Sequence, residues 1–188
     1  MKKRRCLCCK EYFPMEEMIN PRNGWYKDFD HMAAHGLAKT RKQKVKADKK
    51  AHTKKKRELK ENDKSFQNQK AQTIFNKFIR IRDDGEPCIS CQKPPRKKNA
   101  GHYLSRGAHP ELRFHPLNCH LQCEHCNSFK SGNQSLYRAS LIKKIGSAKV
   151  EWLEGPHEPK RYTIANLKTI QKWFARKTKR LERDMENV

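Results

Sequence analysis

The sequence contains few acidic residues and no long apolar run. No stretch of about 18 apolar residues could span a bilayer, and the basic start MKKRR is not followed by the apolar core of a signal peptide. Only 20 Asp and Glu stand against 44 Lys and Arg, so the formal net charge is +24. Such an excess requires a polyanionic partner or many counterions. We therefore expect a soluble, cytoplasmic protein that binds nucleic acid and not a membrane.

Hydrophobic residues are also scarce. They make up 35% of the 188 residues, so part of the chain cannot bury enough apolar surface to offset its ordering entropy. This composition favours one compact unit with extended or solvated flanks. We predict a small N-terminal knuckle at 1–36, a basic linker at 37–70, a compact core at 71–155, and a C-terminal helix with a basic tail at 156–188.

The predicted linker is dominated by lysine. Residues 39–60 include twelve Lys or Arg against two acidic residues, and they contain no Pro or Gly that would break a helix. We interpret this run as an exposed basic helix or a disordered arm. In either form it binds DNA phosphates without sequence specificity, because each lysine that neutralises a phosphate releases counterions. The DNA contacts that we select here are Lys54, Lys55, Lys56 and Arg57.

Apolar residues recur at helical spacing on both sides of the central cysteines. Ile74–Ile79 predicts a helix that docks on the core, Leu136–Ile145 predicts a second helix that ends at Gly146, and Leu167–Phe174 predicts a final helix. Val150–Leu153 is interpreted as a short strand. These elements indicate a small core of mixed helix and strand.

Four of the eight cysteines form two closely spaced pairs. Cys88, Cys91, Cys123 and Cys126 have the spacing C-x2-C-x31-C-x2-C, which supplies the four thiolates of a tetrahedral zinc site. In a chain without an export signal, reduced thiols favour metal over disulfides. With four protein ligands the ion has no open position, so we predict a structural zinc. Cys119 fits neither pair, and we place it in the core.

A second metal motif lies near the N-terminus. Cys6, Cys9, His31 and His35 have the spacing C-x2-C-x21-H-x3-H, which could form another zinc site. The insert is longer than in the common Cys2His2 finger, and Cys8 competes with Cys9 as a ligand. The alternative is a metal-free, reduced loop.

The insert between the central cysteine pairs carries residues suited to phosphodiester cleavage. It reads NAGHY at 99–103, RFHPLNCHLQC at 113–123 and EHCNSFKSGN at 124–133. An early histidine, an asparagine before the second cysteine pair and the phrase C-x2-C-N-x2-K resemble the zinc-stapled HNH nucleases. The resemblance implies a treble-clef core of the ββα-metal type. The predicted fold class is therefore α+β, with that core, flanking amphipathic helices, the basic helix or arm and the N-terminal knuckle.

Four residues of this insert are predicted to form the active site. Because a neutral imidazole accepts a proton from water near pH 7, His102 is the candidate general base, with a structural core histidine as the alternative. The amide oxygen of Asn127 suits Mg2+ or Mn2+, unless this residue caps the helix. Asn118 is predicted to lie on the second strand of the hairpin, and similar nucleases use an asparagine to fix the backbone around the base, which implies that role for Asn118. His120 follows two residues later, as a metal ligand or phosphate contact; a structural role is the alternative for both.

A narrower resemblance covers roughly residues 70–146. The phrases CISC, AGHY, PELRF, N-x-H-x-Q-C, CN-x2-KSGN and YR occur in the order found in the NinG family of lambda-type phage recombination proteins, also called Rap. The resemblance implies a structure-specific endonuclease that cleaves branched DNA, including Holliday junctions and D-loops, during recombination in the host cytoplasm. Other phage or host recombination proteins are further expected partners. A homodimer is also expected, because the two strands at a junction need two active sites.

One position departs from the HNH pattern. Many HNH sites carry Asp immediately before the catalytic histidine as a metal ligand, whereas this chain has Gly101 before His102. Asn99 is then a candidate oxygen ligand, or His102 itself binds the ion and a water-relayed His120 acts as the base. Basic residues around the insert are predicted to contact phosphates, or to form only a solvated face. These residues are Arg106, Arg113, Lys130 and Arg138.

Two other functions are compatible with these residues. A non-enzymatic zinc-finger DNA binder or recombination accessory protein would explain the missing Asp and the long basic arm, and it predicts salt-sensitive binding without cleavage. A sequence-specific HNH endonuclease would instead cut linear duplex at a defined site. The function that we expect is a branched-DNA endonuclease with a structural Zn2+ and a catalytic Mg2+ or Mn2+.

Overall fold

The computed structural model describes residues 2–21 and 24–187. The chain forms two compact units, one up to Leu59 and one from Lys60 onward, and each is described by itself. The division falls inside the 37–70 segment that was predicted as a linker. No helix in the described ranges combines the length and the apolar character needed to cross a membrane.

The N-terminal unit begins with a small hairpin. Strand β1 (Lys3–Arg5) pairs antiparallel with β2 (Tyr12–Pro14), and Ile19 and Tyr26 form a further isolated bridge. The loop between the strands carries Cys6, Cys8 and Cys9. A short hairpin with a cysteine-bearing loop therefore precedes the long helix of this unit.

Helix α1 (Phe29–Glu61) contains the whole basic run at 39–60. None of its residues is buried. The helix therefore depends on local propensity, because many lysines and alanines favour helical backbone and no proline interrupts it. Of the two predicted forms of this stretch, helix or disordered arm, the structure has the helix.

The second unit is organised around two packed helices. Helix α2 (Lys64–Arg82) starts at Asp63, whose carboxylate accepts hydrogen bonds from the next backbone N–H groups at Ser65 and Phe66. It packs against α5 (Ile164–Glu186), where Phe174 lies 4.8 Å from the ring of Phe75. The predicted helix at Ile74–Ile79 is confirmed, and it begins ten residues earlier than the apolar pattern indicated.

A two-stranded sheet lies between the cysteine pairs. Strand β3 (Lys98–His102) pairs antiparallel with β4 (Cys119–Cys123), with Gly101 opposite His120 and His102 opposite Cys119. Asn118 was predicted on the second strand; it is the last residue of a single helical turn directly before β4. His102 and His120 thus lie near the same end of this sheet.

The hairpin is tied to α2 by an ion pair between the buried Asp83 and the half-buried Arg82. The Asp83 carboxylate accepts two hydrogen bonds from Arg82 at 2.7 Å and a third from the backbone N–H of Leu121 at 2.9 Å. Arg82 also donates to the backbone oxygens of Pro116 and Cys119. Although burial opposes ionisation of Asp83, the Arg82 guanidinium and these hydrogen bonds hold its pKa below the usual value.

Two further helices close the core. Helix α3 (Gln134–Ile145) ends before Gly146 as predicted. The prediction of a strand at Val150–Leu153 is wrong, because these residues belong to helix α4 (Ser147–Glu154). Val150 and Leu153 lie three residues apart on one helical face, and both are fully buried beside α3. Burial of that face outweighs the weak strand preference of a four-residue run. The described ranges thus combine helices with two small antiparallel sheets, as the mixed composition predicted.

Candidate metal centre and active-site cleft

The four central cysteines converge. The sulfur atoms of Cys88, Cys91, Cys123 and Cys126 all lie within 4.8 Å of one another, and those of Cys91 and Cys123 are 3.9 Å apart. In a tetrahedral site with Zn–S bonds of ~2.3 Å, sulfur atoms are about 3.8 Å apart. The donor set therefore fits zinc, and these cysteines are the only such group of three or more donors in the described residues.

Local hydrogen bonds orient these sulfur atoms. The backbone N–H of Cys126 points at the Cys123 sulfur over 3.4 Å, and the Asn133 amide points at the Cys126 sulfur over 3.8 Å. Donors directed at sulfur stabilise thiolates, which are the metal-binding form. As predicted, Cys119 is not part of the group; it is buried in the apolar core.

An open cleft of about 700 Å³ lies beside this metal centre. Residues from β3, α2 and the segment after the last cysteine line it together. Five residues proposed from the sequence are among them: Asn99, His102, Arg106, Arg113 and Asn127. Of the four predicted catalytic residues, His102 and Asn127 line the cleft, whereas Asn118 and His120 do not.

His102 is held in one orientation. Its Nε2 lies 2.9 Å from the backbone oxygen of Arg113, which can only accept, so Nε2 carries the proton of the neutral ring. Its Nδ1 is then an acceptor, and the nearest donor is the thiol of Cys119 at the long distance of 3.7 Å. Burial first, and then the nearby Arg106 and Arg113, lower the pKa of His102 to about 4, although the Arg113 carbonyl opposes the shift. The ring is thus neutral at pH 7.

Asn118 fixes the loop that follows His102. It is fully buried, and its side-chain oxygen accepts from the N–H of Leu104 at 2.8 Å while its amide nitrogen donates to the Leu104 carbonyl at 3.0 Å. The backbone oxygen of Asn118 also accepts from Tyr103. These bonds have the form of the backbone-orienting role predicted for Asn118.

His120 is placed away from the cleft. It is 2% exposed, and its Nδ1 lies 3.2 Å from the hydroxyl of Tyr137, which donates to the backbone oxygen of Gly101. Burial lowers the pKa of His120 to about 3, with a smaller contribution from Arg82. The structure does not bring this residue together with His102 and Asn127.

Gly101 is required by close packing. A Cβ at this position would lie 2.0 Å from the side-chain oxygen of Gln122 and 2.9 Å from its Cβ. Gln122 cannot simply move away, because it is fully buried and its amide donates to the hydroxyl of Ser90 and the carbonyl of Gly132. The space that an aspartate before His102 would need is therefore filled by Gln122.

The basic residues proposed as phosphate contacts differ in their surroundings. Arg113 is oriented by a hydrogen bond from its Nε to the side-chain oxygen of Gln72 at 2.9 Å. Lys130 is exposed after the helical turn that contains Asn127. Arg138 forms a two-point ion pair with Glu154, at 2.8 and 3.0 Å, which raises the pKa of its guanidinium. The lysine-rich set in α1, from Lys54 to Arg57, is exposed.

The polar face of α2 contributes residues that the sequence interpretation missed. Asn76 and Arg80 line the cleft opposite the segment after the last cysteine. They fall outside the apolar stripe of α2, so the sequence marks them only as surface residues. Their proximity to His102 depends on the long-range packing of α2 on the hairpin.

The donors of the N-terminal motif are not gathered in the structure. His31 Nδ1 lies 2.8 Å from the Asp28 carboxylate, and His35 Nδ1 lies 3.1 Å from the Tyr26 hydroxyl. Burial opposes ionisation of Cys6, but backbone N–H groups, that of Lys27 foremost, lower its pKa to about 7. In both histidines, Nδ1 contacts a neighbouring side chain, so Nε2 is the ring nitrogen that could bind a metal. A second zinc site here stays a prediction.

Comparisons with known proteins identify the family. The family model described as Bacteriophage Lambda NinG protein matches residues 1–186. Protein ninG of Enterobacteria phage H19B is 37% identical over 192 residues, covering 95% of this chain and 94% of that protein. Protein ninG of Escherichia phage lambda is 42% identical over 118 residues, covering 62% of this chain and 58% of that protein. No solved structure matches the chain. Because the family model matches nearly the whole sequence, this chain belongs to the NinG family of bacteriophage proteins.

Proposed function

We propose that this protein is a divalent-metal-dependent endonuclease that cleaves branched DNA. The observation that carries the proposal is the cleft in which His102, neutral and fixed through Nε2, lies among arginines beside the four-cysteine centre. Cleavage of a phosphodiester needs a base for the attacking water and positive charge around the phosphate. The cleft supplies both kinds of group.

The finer fold that we propose is a zinc-stapled treble clef of the HNH type. The first cysteine pair lies in a turn, the β3–β4 hairpin follows, and the second pair reaches into the short helical turn His125–Phe129. This order of turn, hairpin and helical turn around one metal supports the assignment. Zinc in this position would stabilise the fold and take no part in the chemistry.

His102 would act as the general base. Its protonated Nε2 faces the Arg113 carbonyl, so the lone pair that accepts a proton is on Nδ1. The thiol contact to Nδ1 is weak, because S–H is a poor donor and the distance is 3.7 Å. A proton taken from water would then place charge on a ring whose Nε2–H already donates to a carbonyl.

The cleft suits a divalent ion that is shared with DNA. Among its lining residues in the described ranges there is no carboxylate, and Asn99 and Asn127 offer neutral amide oxygens. Mg2+ often takes only one or two protein ligands and completes its shell with water and phosphate oxygens. When bound, Mg2+ or Mn2+ would polarise the phosphate and stabilise the leaving oxygen. We therefore expect measurable ion affinity only in the presence of DNA.

Three arginines would hold the phosphate. Arg80, Arg106 and Arg113 line the cleft, and their positive charges complement the negative phosphates of a DNA backbone. The exposed lysines of α1 would add affinity that does not depend on sequence. Preference for branched DNA, action as a homodimer and contact with other recombination proteins are parts of the proposal that rest on the family resemblance.

Cleavage of synthetic junctions tests the proposed activity. Purified protein is incubated with a Holliday junction, a D-loop and a linear duplex in Mg2+ or Mn2+, beside His102→Ala and His109→Ala. His109 is a matched control, because it pairs with Glu111 and does not line the cleft. We expect wild type and His109→Ala to cut the junction, and His102→Ala to be at least ~100-fold slower. Equal rates for His102→Ala and wild type would exclude His102 as the base.

The pH dependence of this reaction has a definite sign. The pKa of His102 is lowered to about 4, so the ring stays in its proton-accepting form down to that pH. We expect the single-turnover cleavage rate to lose no activity from His102 protonation between pH 7 and 5, and to fall as the pH drops through 4. A loss centred near pH 6.5 would show an ordinary, solvated histidine.

The cleft has no carboxylate among the described residues that line it, which favours one alternative, a non-enzymatic DNA-binding accessory protein. That function predicts salt-sensitive binding to all DNA forms with no metal-dependent cutting. Cutting of linear duplex at one defined sequence would instead indicate a sequence-specific HNH enzyme. The same three substrates distinguish all three functions.

A further inference from the structure

Trp173 occupies an unusual position in α5. The helix buries Leu167 and Phe174 against the core, whereas the indole of Trp173 remains 39% exposed. Its ring packs edge-on against Phe174 at 4.6 Å. An exposed indole of this kind offers an aromatic face on which another flat ring can stack.

One side of Trp173 borders an apolar groove of about 340 Å³. Phe114 and Tyr162 pack edge-to-face at 5.1 Å in its wall, and the Tyr162 hydroxyl donates to the backbone oxygen of Glu111. Pro116 and Ile170 contribute further apolar surface. The volume is near the lower end of the ~300–1,000 Å³ typical of ligand clefts. The groove therefore has rigid aromatic walls before any partner binds.

The other side of Trp173 borders a basic strip. Arg176, Lys177 and Arg180 line a second hollow together with Trp173, at helical spacings of three, four and seven residues. Lys177 Nζ lies 5.2 Å from the centre of the indole ring. The acidic groups nearby are few: Asp184 lies 3.9 Å from Arg180, and Glu111 of the groove pairs with His109. The strip thus has a clear excess of positive charge.

The groove adjoins the cleft through a shared segment. Arg113 lines the cleft, and its neighbour Phe114 lines the groove. The fully buried ring of Phe75 lies between these two surfaces, 5.8 Å from Phe114 and 5.9 Å from His102. The groove is therefore separate from the cleft, and the two surfaces share only the backbone of Arg113 and Phe114.

We propose that this groove binds unpaired nucleotides of a DNA strand, with a base stacked on Trp173 and phosphates on Arg176, Lys177 and Arg180. Aromatic side chains interleaved with cations are the arrangement that recognises single-stranded nucleic acid without sequence preference. Bases in duplex DNA already stack on both faces, so only unpaired bases can enter. An apolar peptide would leave three cations unmatched. The inference rests on the proposed function, since it gives the nuclease a reason to prefer branched DNA.

Binding of short oligonucleotides tests the groove without any cleavage. Full-length protein is titrated, with no added divalent ion, into an oligothymidine that contains one 2-aminopurine, and into a duplex of equal length. Trp173→Ala is compared with Trp173→Phe and with Trp152→Ala. Trp152 is a matched control, because it is 49% exposed but does not line the groove.

We expect Trp173→Ala to bind the single strand about tenfold more weakly and to lose the quenching of 2-aminopurine that stacking causes. Trp173→Phe keeps an aromatic face and should recover most of that affinity. Trp152→Ala should behave as wild type, and duplex affinity should be the same for all four proteins. Trp173→Leu, which keeps the apolar volume, replaces Trp173→Ala if the latter does not fold, with the same expected loss.

If wild type and the variant without the indole bind the single strand equally well, the proposal that the groove binds unpaired nucleotides is wrong, whether or not the protein cuts DNA. An equal loss on single strand and duplex would also overturn it. If wild type cuts no substrate while stacking on Trp173 persists, the nuclease proposal fails and the groove stands. The two proposals are therefore tested separately.

Discussion

The two cysteine motifs of this chain have the same local form and different surroundings. In the second unit, two CxxC turns face each other across the β3–β4 hairpin, and all four sulfur atoms converge. In the N-terminal unit, the Cys6–Cys9 turn is matched by His31 and His35 on α1, whose rings bond to Asp28 and Tyr26. The ligands of the central motif are thus already gathered without a metal. At the N-terminal motif, the four ligands would have to come together when the metal binds.

The largest expected effect is at the four central cysteines, which we expect to bind one zinc ion. A structural zinc site contributes ~10–16 kcal/mol, which is comparable with the whole stability of a domain. We expect Cys123→Ser to lower the zinc content by one ion per chain and to abolish the cooperative melting of the second unit. Atomic emission and circular dichroism measure the two quantities.

Cys119→Ala is the control for that experiment, because Cys119 is buried in the core and lies outside the metal group. It should keep the zinc and lower stability by only about 1 kcal/mol, the contribution of one small buried group. Unchanged zinc content in Cys123→Ser would contradict the four-cysteine site.

The second prediction concerns the ion pair that holds the hairpin. Asp83→Asn removes the buried carboxylate that pairs with the half-buried Arg82, and the loss of this charged hydrogen-bond partner should cost about 2 kcal/mol. Urea unfolding measures the loss. The neighbouring Asp84 is an exposed partner of Lys98, so Asp84→Asn should change stability little. Similar losses for the two variants would argue against Asp83 as the anchor.

The third prediction concerns the missing aspartate. Gly101→Ala forces Gln122 from its bonds with Ser90 and Gly132, which should cost ~1–3 kcal/mol. Gly107→Ala has nothing within 4 Å of the added methyl and should stay within about 0.5 kcal/mol of wild type. If urea unfolding gives the same free energy for Gly101→Ala and Gly107→Ala, close packing against Gln122 does not exclude a side chain at position 101.

The smallest expected effect is at the N-terminal motif. We expect a second, weaker zinc ion there, so Cys9→Ser should lower the zinc content by one without changing the melting of the second unit. A chelator should remove this ion before the central one. One ion per chain in both wild type and Cys9→Ser would show that the motif is metal-free, which would make the contrast between the two motifs complete.

Local patterns predicted the group of four cysteines and most helices. The cysteine spacing identified Cys88, Cys91, Cys123 and Cys126 because a CxxC turn directs both sulfurs to one point whatever surrounds it. The apolar stripe of α2 and the glycine after α3 are local signals of the same kind. Their meaning does not depend on distant parts of the chain.

The remaining features depend on packing between distant segments. His120 follows Asn118 by two residues, but it is buried in the core, where its ring contacts the hydroxyl of Tyr137. Arg80 reaches the cleft only because α2 lies against the hairpin. The four residues from Val150 form a helix because α3 covers their apolar face. A single sequence gives no signal for which surface each of these residues will meet.

Helix α1 has a consequence for how the protein senses its surroundings. Its 33 residues extend about 50 Å, and none is buried, so packing does not stabilise it. Twelve like charges at 39–60 repel one another along this length, and that repulsion weakens as salt or a polyanion screens it. We therefore expect the helix content of α1 to rise with the concentration of salt or of a polyanion and to fall in dilute buffer. The helix content of α1 therefore depends on the ionic composition of the solution as well as on the sequence.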